Sequence, residues 1–284
     1  MAKLKILRGI PASGKTTYAR LEVKDSGNSG RVNRDDLRAM LFDSVWSGKR
    51  ESVVVECEKA IAKVLLANKM VPIIDDTNLT NRHKDMWVGF AKEQGIAFET
   101  VDCNQSLEVC VQRDHGREKP VGLAVIHRMA LFAGLINFGD KKIVICDIDG
   151  TLADGTERQH YLDGPRKDWN RYFSEIANDK PVELVVKWLS EWKKTHTICI
   201  VSGRPDTYQN PTICWLEKYG IQYDYLFMRP GSSTIPDTEI KKNILDHMPK
   251  HLIECVLDDR PNVVRLWRSQ GLKVYPVRGQ CPEF

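Results

Sequence analysis

The stretch Gly9-Ile10-Pro11-Ala12-Ser13-Gly14-Lys15-Thr16 decides the fold of the amino-terminal half. The apolar run from Lys3 to Arg8 precedes it as a strand, and helical periodicity follows it. The two glycines let the backbone curl so that successive N–H groups point inward at phosphate oxygens. Lys15 supplies a positive charge for β- and γ-phosphates, and the hydroxyl of Thr16 suits Mg²⁺. The stretch therefore predicts a strand, a phosphate-binding loop and a helix in that order.

Strand-like apolar runs alternate with helical periodicity along the whole chain, which predicts an α/β fold with mostly parallel sheets. In the first half we predict strands at 3–8, 31–32, 71–75 and 97–103 and helices from 15, 51, 81, 107 and 121. In the second half we predict strands at 143–146, 197–201, near 225, 252–257 and 273–277 and helices from 181, 206, near 241 and 261. Residues 153–180 are polar and aromatic with weak periodicity, so we expect an insertion that covers a site.

The length of 284 residues suits two domains of roughly 140 residues each. A short polar break at 137–142 places the predicted boundary between residues 139 and 140, giving domains 1–139 and 140–284. Residues 1–139 hold 21 Lys and Arg against 17 Asp and Glu, whereas residues 140–284 hold 21 against 21. This excess fits either a polyanionic ligand in the first half or a solvated surface.

Cysteine usage and apolar run lengths indicate a cytoplasmic protein. The eight cysteines form no C-x-x-C pair, and Cys146, Cys199 and Cys255 lie in apolar runs typical of buried strands. Reduced thiols fit the cytoplasm. The run from Met70 to Ile74 is too short to cross a bilayer, and the chain starts directly before a strand with no signal peptide. We therefore expect a cytoplasmic location and no membrane partner.

The segment Asn33-Arg34-Asp35-Asp36-Leu37-Arg38 offers an acceptor site beside the phosphate loop. Asp35 and Arg38 are three residues apart and share one face of a helix, whereas Asp36 points about 100° away. A carboxylate can take a proton from an attacking hydroxyl, and a neighbouring arginine can hold a phosphate on the acceptor. Helix capping with a surface ion pair is the alternative interpretation.

Two further pairs of residues are candidates for the first site, and each pair also has a purely structural interpretation. Asp76 and Asn78 follow a buried strand, where they contact the acceptor or metal or simply cap the next helix. Arg113 and Arg117 are four residues apart near Gly116. They form a lid that neutralises the transferred phosphoryl group, or they are solvated surface arginines.

The second half places acids and phosphate-binding groups at successive strand ends, where an open parallel sheet builds its site. Asp147 ends one strand and Asp149 follows two residues later, so one carboxylate can attack phosphorus and the other can act as acid and base. Ser202, Gly203 and Arg204 offer a hydroxyl, N–H groups and a guanidinium for the phosphate. Asp258 and Asp259 offer oxygen ligands for Mg²⁺. Lys241 or Lys242 can screen the charge of the nucleophile.

These motifs, in this order, make the chain similar to the bifunctional polynucleotide 5′-kinase/3′-phosphatases of T-even bacteriophages. The resemblance spans nearly the whole chain. It is carried by residues 9–16, 33–36 with Arg38, 76–79, Arg113 with Arg117, 147–152, 201–204, Lys241 and 258–260. It implies a P-loop kinase domain followed by a Rossmann-like phosphatase domain of haloacid-dehalogenase type with a small cap insertion.

The resemblance also implies roles. It implies that Asp35 is the general base on a 5′-hydroxyl and that Arg38 holds the phosphate on the 3′ side of the acceptor nucleotide. It assigns ATP, with Mg²⁺ at Thr16, to Gly9, Ser13, Gly14, Lys15, Thr16, Thr17, Arg113 and Arg117, and catalytic roles to Lys15 and Arg117. It assigns the acceptor to Asp76 and Asn78, the phosphatase nucleophile to Asp147, the acid–base role to Asp149, and the second phosphate site to Ser202, Gly203, Arg204 and Lys241. It assigns Mg²⁺ in the second site to Asp147, Asp149, Asp258 and Asp259.

The expected partners are RNA or DNA ends and, functionally, a nucleic-acid ligase, with a possible homo-oligomer. Ala12 stands where the phage loop commonly has glycine, and the spacing leaves Lys242 open beside Lys241. One alternative function is a small-molecule kinase fused to an opposing phosphatase. Another is a nucleotide-gated nucleic-acid binding module with decayed sites, against which the intact Lys15, Asp35 and Asp147 argue.

Overall fold

The structure is a computed structural model that describes residues 3–163, 165–231 and 233–277. It divides into two compact units, Met1–Pro120 and Val121–Phe284. Parallel strands connected by helices build both units, which confirms the predicted α/β class.

The first unit contains a four-stranded parallel sheet in the order β2-β3-β1-β4. Its elements are β1 (Lys3–Arg8), α1 (Lys15–Ser26), β2 (Ser29–Val32), α2 (Arg34–Phe42), α3 (Gly48–Ala67), β3 (Val71–Ile74), α4 (Asn81–Glu93), β4 (Ala97–Asp102) and α5 (Leu107–His115). Buried apolar side chains of the strands and of α3 and α4 form its core, among them Leu4, Ile74 and Trp87. Because all four strands are parallel, their carboxyl ends meet at one edge, where the phosphate loop also lies.

The second unit contains a five-stranded parallel sheet in the order β11-β10-β5-β8-β9. Its elements are α6 (Leu123–Phe132), β5 (Ile143–Cys146), β6 (Ala153–Asp154), α7 (Trp169–Ser174), β7 (Lys180–Pro181), α8 (Glu183–Lys193), β8 (Thr197–Pro205), α9 (Gln209–Lys218), β9 (Tyr225–Arg229), α10 (Asp237–Leu245), β10 (Ile253–Asp258), α11 (Pro261–Ser269) and β11 (Val274–Pro276). The described part of this unit also has 3₁₀ helices at Thr156–Leu162, Ile176–Asn178, Asp206–Tyr208 and Lys250–Leu252. Cys146, Cys199 and Cys255 are buried in three of the strands, as predicted.

A small lobe stands where the cap insertion is predicted. β6 and β7 pair antiparallel, Ala153 with Pro181 and Asp154 with Lys180, and so close the segment at its base. The segment packs around its own cluster of buried side chains, Leu162, Tyr172, Phe173 and Ile176. Because Pro181 takes part in this pairing, α8 begins two residues later than the sequence predicts.

The helix α6 packs on the sheet of the second unit, although it precedes the predicted boundary at residues 139 and 140. The buried ring of His127 accepts a hydrogen bond from the Leu226 N–H at 3.0 Å, and Arg128 donates to the Met228 carbonyl at 2.8 Å. Burial lowers the pKa of His127 to about 4, so the ring is neutral and serves packing. The compact units accordingly divide between Pro120 and Val121, nineteen residues before the predicted boundary.

Candidate active sites

The phosphate loop between β1 and α1 depends on close backbone approach. A Cβ at Gly9 would lie 2.4 Å from the Ser13 Oγ and 2.8 Å from the Cys103 carbonyl oxygen. Gly14 has a φ of 98° and Ala12 a φ of 62°, so the backbone turns twice through the left-handed region. No described side chain caps α1, which leaves its first N–H groups to bind an anion.

Lys15 lies inside the curve of this loop, with its ammonium donating to the carbonyls of Gly9 at 3.0 Å and Ile10 at 2.8 Å. Burial lowers its pKa, against the attraction of Asp75. Asp75 directly follows β3, is buried, and accepts a hydrogen bond from Arg31 Nε at 2.5 Å. The Thr16 hydroxyl also reaches Asp75 and, with Arg31, opposes the rise that burial causes in the Asp75 pKa. A threonine hydroxyl beside a strand-end carboxylate fits Mg²⁺ held with a nucleotide.

Asp35 and Arg38 share a face of α2, as predicted, and form an ion pair. Arg38 is also held by two hydrogen bonds from its Nε and Nη2 to Glu51 Oε2, at 3.0 and 2.9 Å. The Asp35 side chain is 84% exposed, so a substrate can reach it. Capping does not need Asp35, because the Asn33 side chain caps α2 by accepting from the Asp36 N–H at 3.0 Å. Asp36 pairs with Arg31 instead.

A buried charge network behind α2 involves a residue that the sequence reading missed, Glu58. Arg34 donates to Glu58 Oε2 at 2.9 Å, and its backbone N–H donates to Asp76 Oδ1 at 3.1 Å. Burial, and then the hydrogen bond and charge of Asp76, raise the pKa of Glu58 to about 9. One guanidinium thus serves two carboxyls, of which Glu58 carries a proton. The hydrogen bond from the Arg34 N–H to Asp76 fixes the start of α2, the helix that carries Asp35.

Asn78 also supports the scaffold, since its side-chain amide donates to the Leu7 carbonyl at 2.9 Å and so ties the end of β3 to β1. Neither Asp76 nor Asn78 caps α4, because the cap is Thr80, which accepts from the His83 N–H at 3.3 Å. The acceptor-binding role of both residues stays a prediction.

The two predicted lid arginines lie at the end of α5. The Nη1 of Arg113 comes within 3.7 Å of the position that a Cβ at Gly14 would take, so it lies against the phosphate loop. Arg117 contributes to the electrostatics of Lys15 and pairs with Asp114 at 3.3 Å, with 47% of its side chain exposed. Both guanidiniums therefore belong to the surroundings of the phosphate loop.

In the second unit, Asp147 at the end of β5 lies within a buried group of charges. The Lys241 Nζ is 3.0 Å from Asp147 Oδ1, 2.8 Å from Asp258 Oδ2 and 3.5 Å from Asp237 Oδ2. Lys241 is fully buried, whereas Lys242 pairs with Asp246 at the surface. The lysine beside Asp147 is therefore Lys241.

The acids of this group fit a divalent cation. Oxygens of Asp147, Asp258 and Asp259 lie within 4.8 Å of one another. Among the described residues, Asp259 Oδ2 is buried without a hydrogen-bond partner. Burial, with the charge of Asp258, raises the pKa of Asp259 to about 6, and burial likewise raises that of Asp147. Such a concentration of carboxylates, with one orphaned oxygen, is a donor set that Mg²⁺ would complete and neutralise.

Glycines keep this site open. A Cβ at Gly150, whose φ is 81°, would lie 2.1 Å from Asp259 Oδ2. A Cβ at Gly203 would lie 2.3 Å from Asp237 Oδ1. The backbone thus approaches the acids at two points where no other residue fits without a shift.

Asp149 is held by two arginines. Arg204 Nε lies 3.0 Å from both carboxylate oxygens and Nη2 lies 2.7 Å from Oδ1, and Arg158 also donates to Oδ1. These guanidiniums hold the pKa of Asp149 well below its usual range despite its burial. Asp149 is therefore a carboxylate here, and its side chain binds arginines; its predicted role as a metal ligand stays a prediction.

Arg158 and Asp179 come from the cap lobe and were missed by the sequence reading. Arg158 donates to Asp179 at 2.7 and 2.6 Å and lies 4.0 Å from the Tyr172 ring centroid. Asp237 was missed as well, although it pairs with Lys241. Ser202 lies fully buried beside these groups, and its Oγ accepts from the Arg204 N–H at 3.2 Å. No local motif marks the three missed residues.

The fold and the two sites define a P-loop kinase unit followed by a phosphatase unit of haloacid-dehalogenase type. Comparisons with known proteins agree. The family model described as the polynucleotide kinase PNKP phosphatase domain matches residues 141–280, and the AAA domain model matches residues 4–133. The helix α6 thus matches the kinase-side model in sequence while it packs on the phosphatase sheet.

A protein of Autographa californica nuclear polyhedrosis virus, provisionally named bifunctional polynucleotide kinase/RNA ligase, is 30% identical over 99% of this chain. The chain spans 43% of that relative's length. The bifunctional polynucleotide phosphatase/kinase of Schizosaccharomyces pombe is 30% identical over 38% of this chain and 22% of its own length.

A chain in a solved structure titled Structure of Pnkp1/Rnl/Hen1 complex is 31% identical, covering 99% of this chain and 98% of its own, with a TM-score of 0.41. By the two family models and the viral relative, the present protein belongs to the polynucleotide kinase–phosphatase family. The viral relative is from a baculovirus, so the predicted phage type is not supported by it. Among the described residues, no helix has the length and apolar character to cross a membrane.

Proposed function

We propose that this chain heals broken polynucleotide ends with both of its units. The first unit transfers the γ-phosphate of ATP to a 5′-hydroxyl, and the second removes a 3′-phosphate. The observation that carries the proposal is the pairing of two complete sites: Asp35 and Arg38 beside the phosphate loop, and Asp147 beside Lys241.

In the kinase reaction the protein mainly positions and neutralises charge. Lys15 binds the β- and γ-phosphates within the loop, and Arg113 and Arg117 neutralise charge on the transferred group. Asp35 accepts the proton of the 5′-hydroxyl. Arg38, already held by Glu51, binds the phosphate on the 3′ side of the acceptor nucleotide. Mg²⁺ at Thr16 and Asp75 would stabilise charge on the phosphates.

In the phosphatase reaction the Asp147 carboxylate attacks phosphorus. The bond between phosphorus and the 3′ oxygen of the nucleotide breaks. Lys241, Ser202 and Arg204 bind the phosphate oxygens. Gly203 lies between Ser202 and Arg204 in sequence, and its N–H donates to the same phosphate. Mg²⁺ at the acids of residues 147, 258 and 259 would offset their charge.

Asp149 first protonates the leaving oxygen and then takes a proton from the water that attacks the phosphorus of the aspartyl-phosphate. That attack breaks the bond between phosphorus and Asp147, which releases inorganic phosphate and regenerates the Asp147 carboxylate. In the structure it is a carboxylate, because Arg204 and Arg158 both bind it. Binding of the substrate phosphate to Arg204 removes part of that attraction and raises the proton affinity of Asp149. Asp149 then takes up a proton from solvent, and it is this proton that it donates to the leaving oxygen, so the bound phosphate itself enables the donation.

RNA is the favoured polynucleotide, and a ligase the favoured functional partner. The support is the baculovirus relative, whose name includes RNA ligase, and the solved structure titled Structure of the Pnkp1/Rnl/Hen1 RNA repair complex, which contains a chain 30% identical over 97% of its length. The homo-oligomer and the cytoplasmic location stay predictions.

The experiment is to incubate a 5′-hydroxyl, 3′-phosphate oligoribonucleotide with γ-labelled ATP and Mg²⁺ and to follow both ends, with its DNA counterpart and free sugars as comparisons. We expect label at the 5′ end and loss of the 3′-phosphate, more rapidly on RNA. Absence of both reactions would refute the proposal, and labelling of sugars in preference to oligonucleotides would favour a small-molecule kinase.

A further inference from the structure

An exposed aromatic and cationic surface lies beside the kinase acceptor residues and has no part in the mechanism above. It comprises the loop of residues 43–47 between α2 and α3, here termed the Trp46 loop, and the first residues of α3. Trp46 and Val45 are 55% and 53% exposed, and Met40 on α2 is 73% exposed. Large apolar side chains grouped at a surface mark a site of interaction.

The Trp46 loop is held firmly at both ends. Ser44 N–H donates to the Arg38 carbonyl at 3.2 Å, and Asp43 and Ser44 both have left-handed φ angles, of 48° and 64°. Arg50 donates to the Val45 carbonyl at 3.4 Å and lies 5.3 Å from the Phe42 ring centroid. The loop is therefore built to present the outward side chains in one arrangement.

Charge favours a polyanion on this surface. Lys49 and Arg50 follow Trp46 by three and four residues, and neither has an acidic partner within 4.0 Å in the part of the chain that the structure describes. The nearby Glu51 is already bound to Arg38. An exposed aromatic ring close in sequence to two cations that lack an acidic partner suits the binding of single-stranded nucleic acid, with bases stacked on the ring and phosphates near the cations.

The surface is also continuous with the acceptor residues. The carbonyl of Arg38 holds Ser44, and its guanidinium is held by Glu51, four residues after Ser47. A strand whose first nucleotide lies at Asp35 and Arg38 therefore reaches the Trp46 loop with its following nucleotides.

We propose that Trp46 stacks on a base of the acceptor strand beyond the first nucleotide, with Lys49 and Arg50 binding the neighbouring phosphates. The inference rests on the proposed kinase function and deepens it. The surface selects a polynucleotide over a single nucleotide as the acceptor.

The test compares two acceptors in the kinase assay, a nucleoside 3′-monophosphate and a single-stranded 5′-hydroxyl octanucleotide. Trp46→Ala is expected to raise KM for the octanucleotide about tenfold and to leave KM for the nucleotide unchanged, since one stacked base is lost. Trp46→Phe keeps an aromatic face and should come close to wild type. Lys49→Gln should reduce the slope of log KM against log salt by about 0.7 for the octanucleotide alone.

Val64→Ala is the matched control, because Val64 is 62% exposed on α3 but lies about 24 Å along the helix from its first residue, Gly48, which follows the Trp46 loop. Equal effects of Trp46→Ala on both acceptors, or no effect on either, would overturn the proposal. So would sedimentation showing that Trp46→Ala dissociates an assembly of this chain while KM stays unchanged.

A binding measurement distinguishes a failure of this proposal from a failure of the proposed kinase function. If wild-type protein phosphorylates neither acceptor, the kinase function fails. Fluorescence anisotropy of a labelled octanucleotide still decides the role of Trp46: weaker binding by Trp46→Ala, with unchanged binding by Val64→Ala, supports it, and equal binding by the two overturns it.

Discussion

The charged site residues of the two units differ in burial: those of the phosphatase unit are buried, whereas two of those of the kinase unit are exposed. In the phosphatase unit Asp147 and Asp149 are each 4% exposed, and Lys241 and Arg204 are fully buried. In the kinase unit Asp35 and Arg117 have side chains that are 84% and 47% exposed. Both sites lie at the carboxyl ends of parallel strands. We therefore attribute the difference in burial to the different reactions that we propose for the two units.

A covalent phosphatase contributes the reacting atom itself, so its carboxylates must be held and neutralised before substrate arrives. A kinase joins groups that both belong to its substrates, so its residues bind and neutralise what the substrates bring. This account predicts that substitutions in the phosphatase unit damage both stability and activity, whereas substitutions of exposed kinase residues damage activity alone.

The largest expected effect comes from Lys241→Met. It leaves Asp147, Asp237 and Asp258 buried without their shared cation, which we expect to cost about 3–5 kcal/mol of stability in the second unit. Loss of 3′-phosphatase activity should exceed about a hundredfold. The measurements are phosphate release from a 3′-phosphate oligonucleotide and thermal unfolding. Lys242→Met, which removes only a surface pair with Asp246, should stay close to wild type. Equal damage by both variants would contradict the assignment of Lys241.

Asp35→Asn should come next and should act on activity alone. Loss of the proton acceptor is expected to lower the kinase kcat by about 10² to 10⁴-fold. The melting temperature should change little, because the side chain is exposed. Asp36→Asn is the control, since Asp36 lies next in sequence but pairs with Arg31. A kinase that depends more on Asp36 than on Asp35 would reverse the assignment.

Glu58→Gln tests the buried carboxyl of the kinase unit that lies beside Arg34 and Asp76, and should change stability with pH. The pKa of Glu58 is about 9 in the folded chain and ordinarily 4.5. Between these values the unfolded chain releases a proton that the folded chain keeps, so wild-type stability falls as pH rises, by at most about 1.4 kcal/mol per pH unit. Glutamine imitates the protonated acid. The variant should therefore exceed wild type in stability at pH 8, with the advantage shrinking toward pH 5.

Urea unfolding of the amino-terminal unit at both pH values measures this difference. Glu56→Gln serves as the control, because Glu56 lies on the same helix with 73% of its side chain exposed. A stability difference for Glu58→Gln that is the same at pH 5 and pH 8 would show that Glu58 is ionised in the folded protein.

Ala12→Gly should have the smallest effect. Ala12 has a φ of 62°, a conformation that costs an L-residue roughly 1–2 kcal/mol and that glycine adopts freely. The greater freedom of glycine in the unfolded chain offsets much of this gain, so we expect a net stabilisation below about 1 kcal/mol. Thermal unfolding and the KM for ATP measure the outcome. Ala19→Gly, inside α1, should instead destabilise the unit, and a similar loss at Ala12 would contradict the backbone argument.

Much of both sites was predictable because the sites stand at strand ends. The phosphate loop, Asp147, Ser202 and Asp258 follow apolar runs, and parallel strands bring their carboxyl ends to one edge. Helical spacing alone placed Asp35 and Arg38 on one face. These features depend on short stretches of chain, which a sequence displays directly.

The residues that escaped prediction act through long-range packing. Arg158 and Asp179 approach Asp149 only because the cap lobe closes through β6 and β7. Glu58 meets Arg34 only because α3 packs against α2. The packing of α6 on the sheet of the second unit was not predicted for a related reason. Apolar periodicity indicates that one face of a helix is buried, but not which sheet buries it.

The most direct test of the central claim, two independent sites for opposite ends, uses one substrate and two variants. An oligoribonucleotide with a 5′-hydroxyl and a 3′-phosphate is given to Asp35→Asn and Asp147→Asn with labelled ATP and Mg²⁺. We predict that Asp35→Asn loses 5′ labelling and keeps 3′-phosphate removal, and that Asp147→Asn does the reverse. Loss of both activities in either folded variant, or of neither in both, would contradict the account.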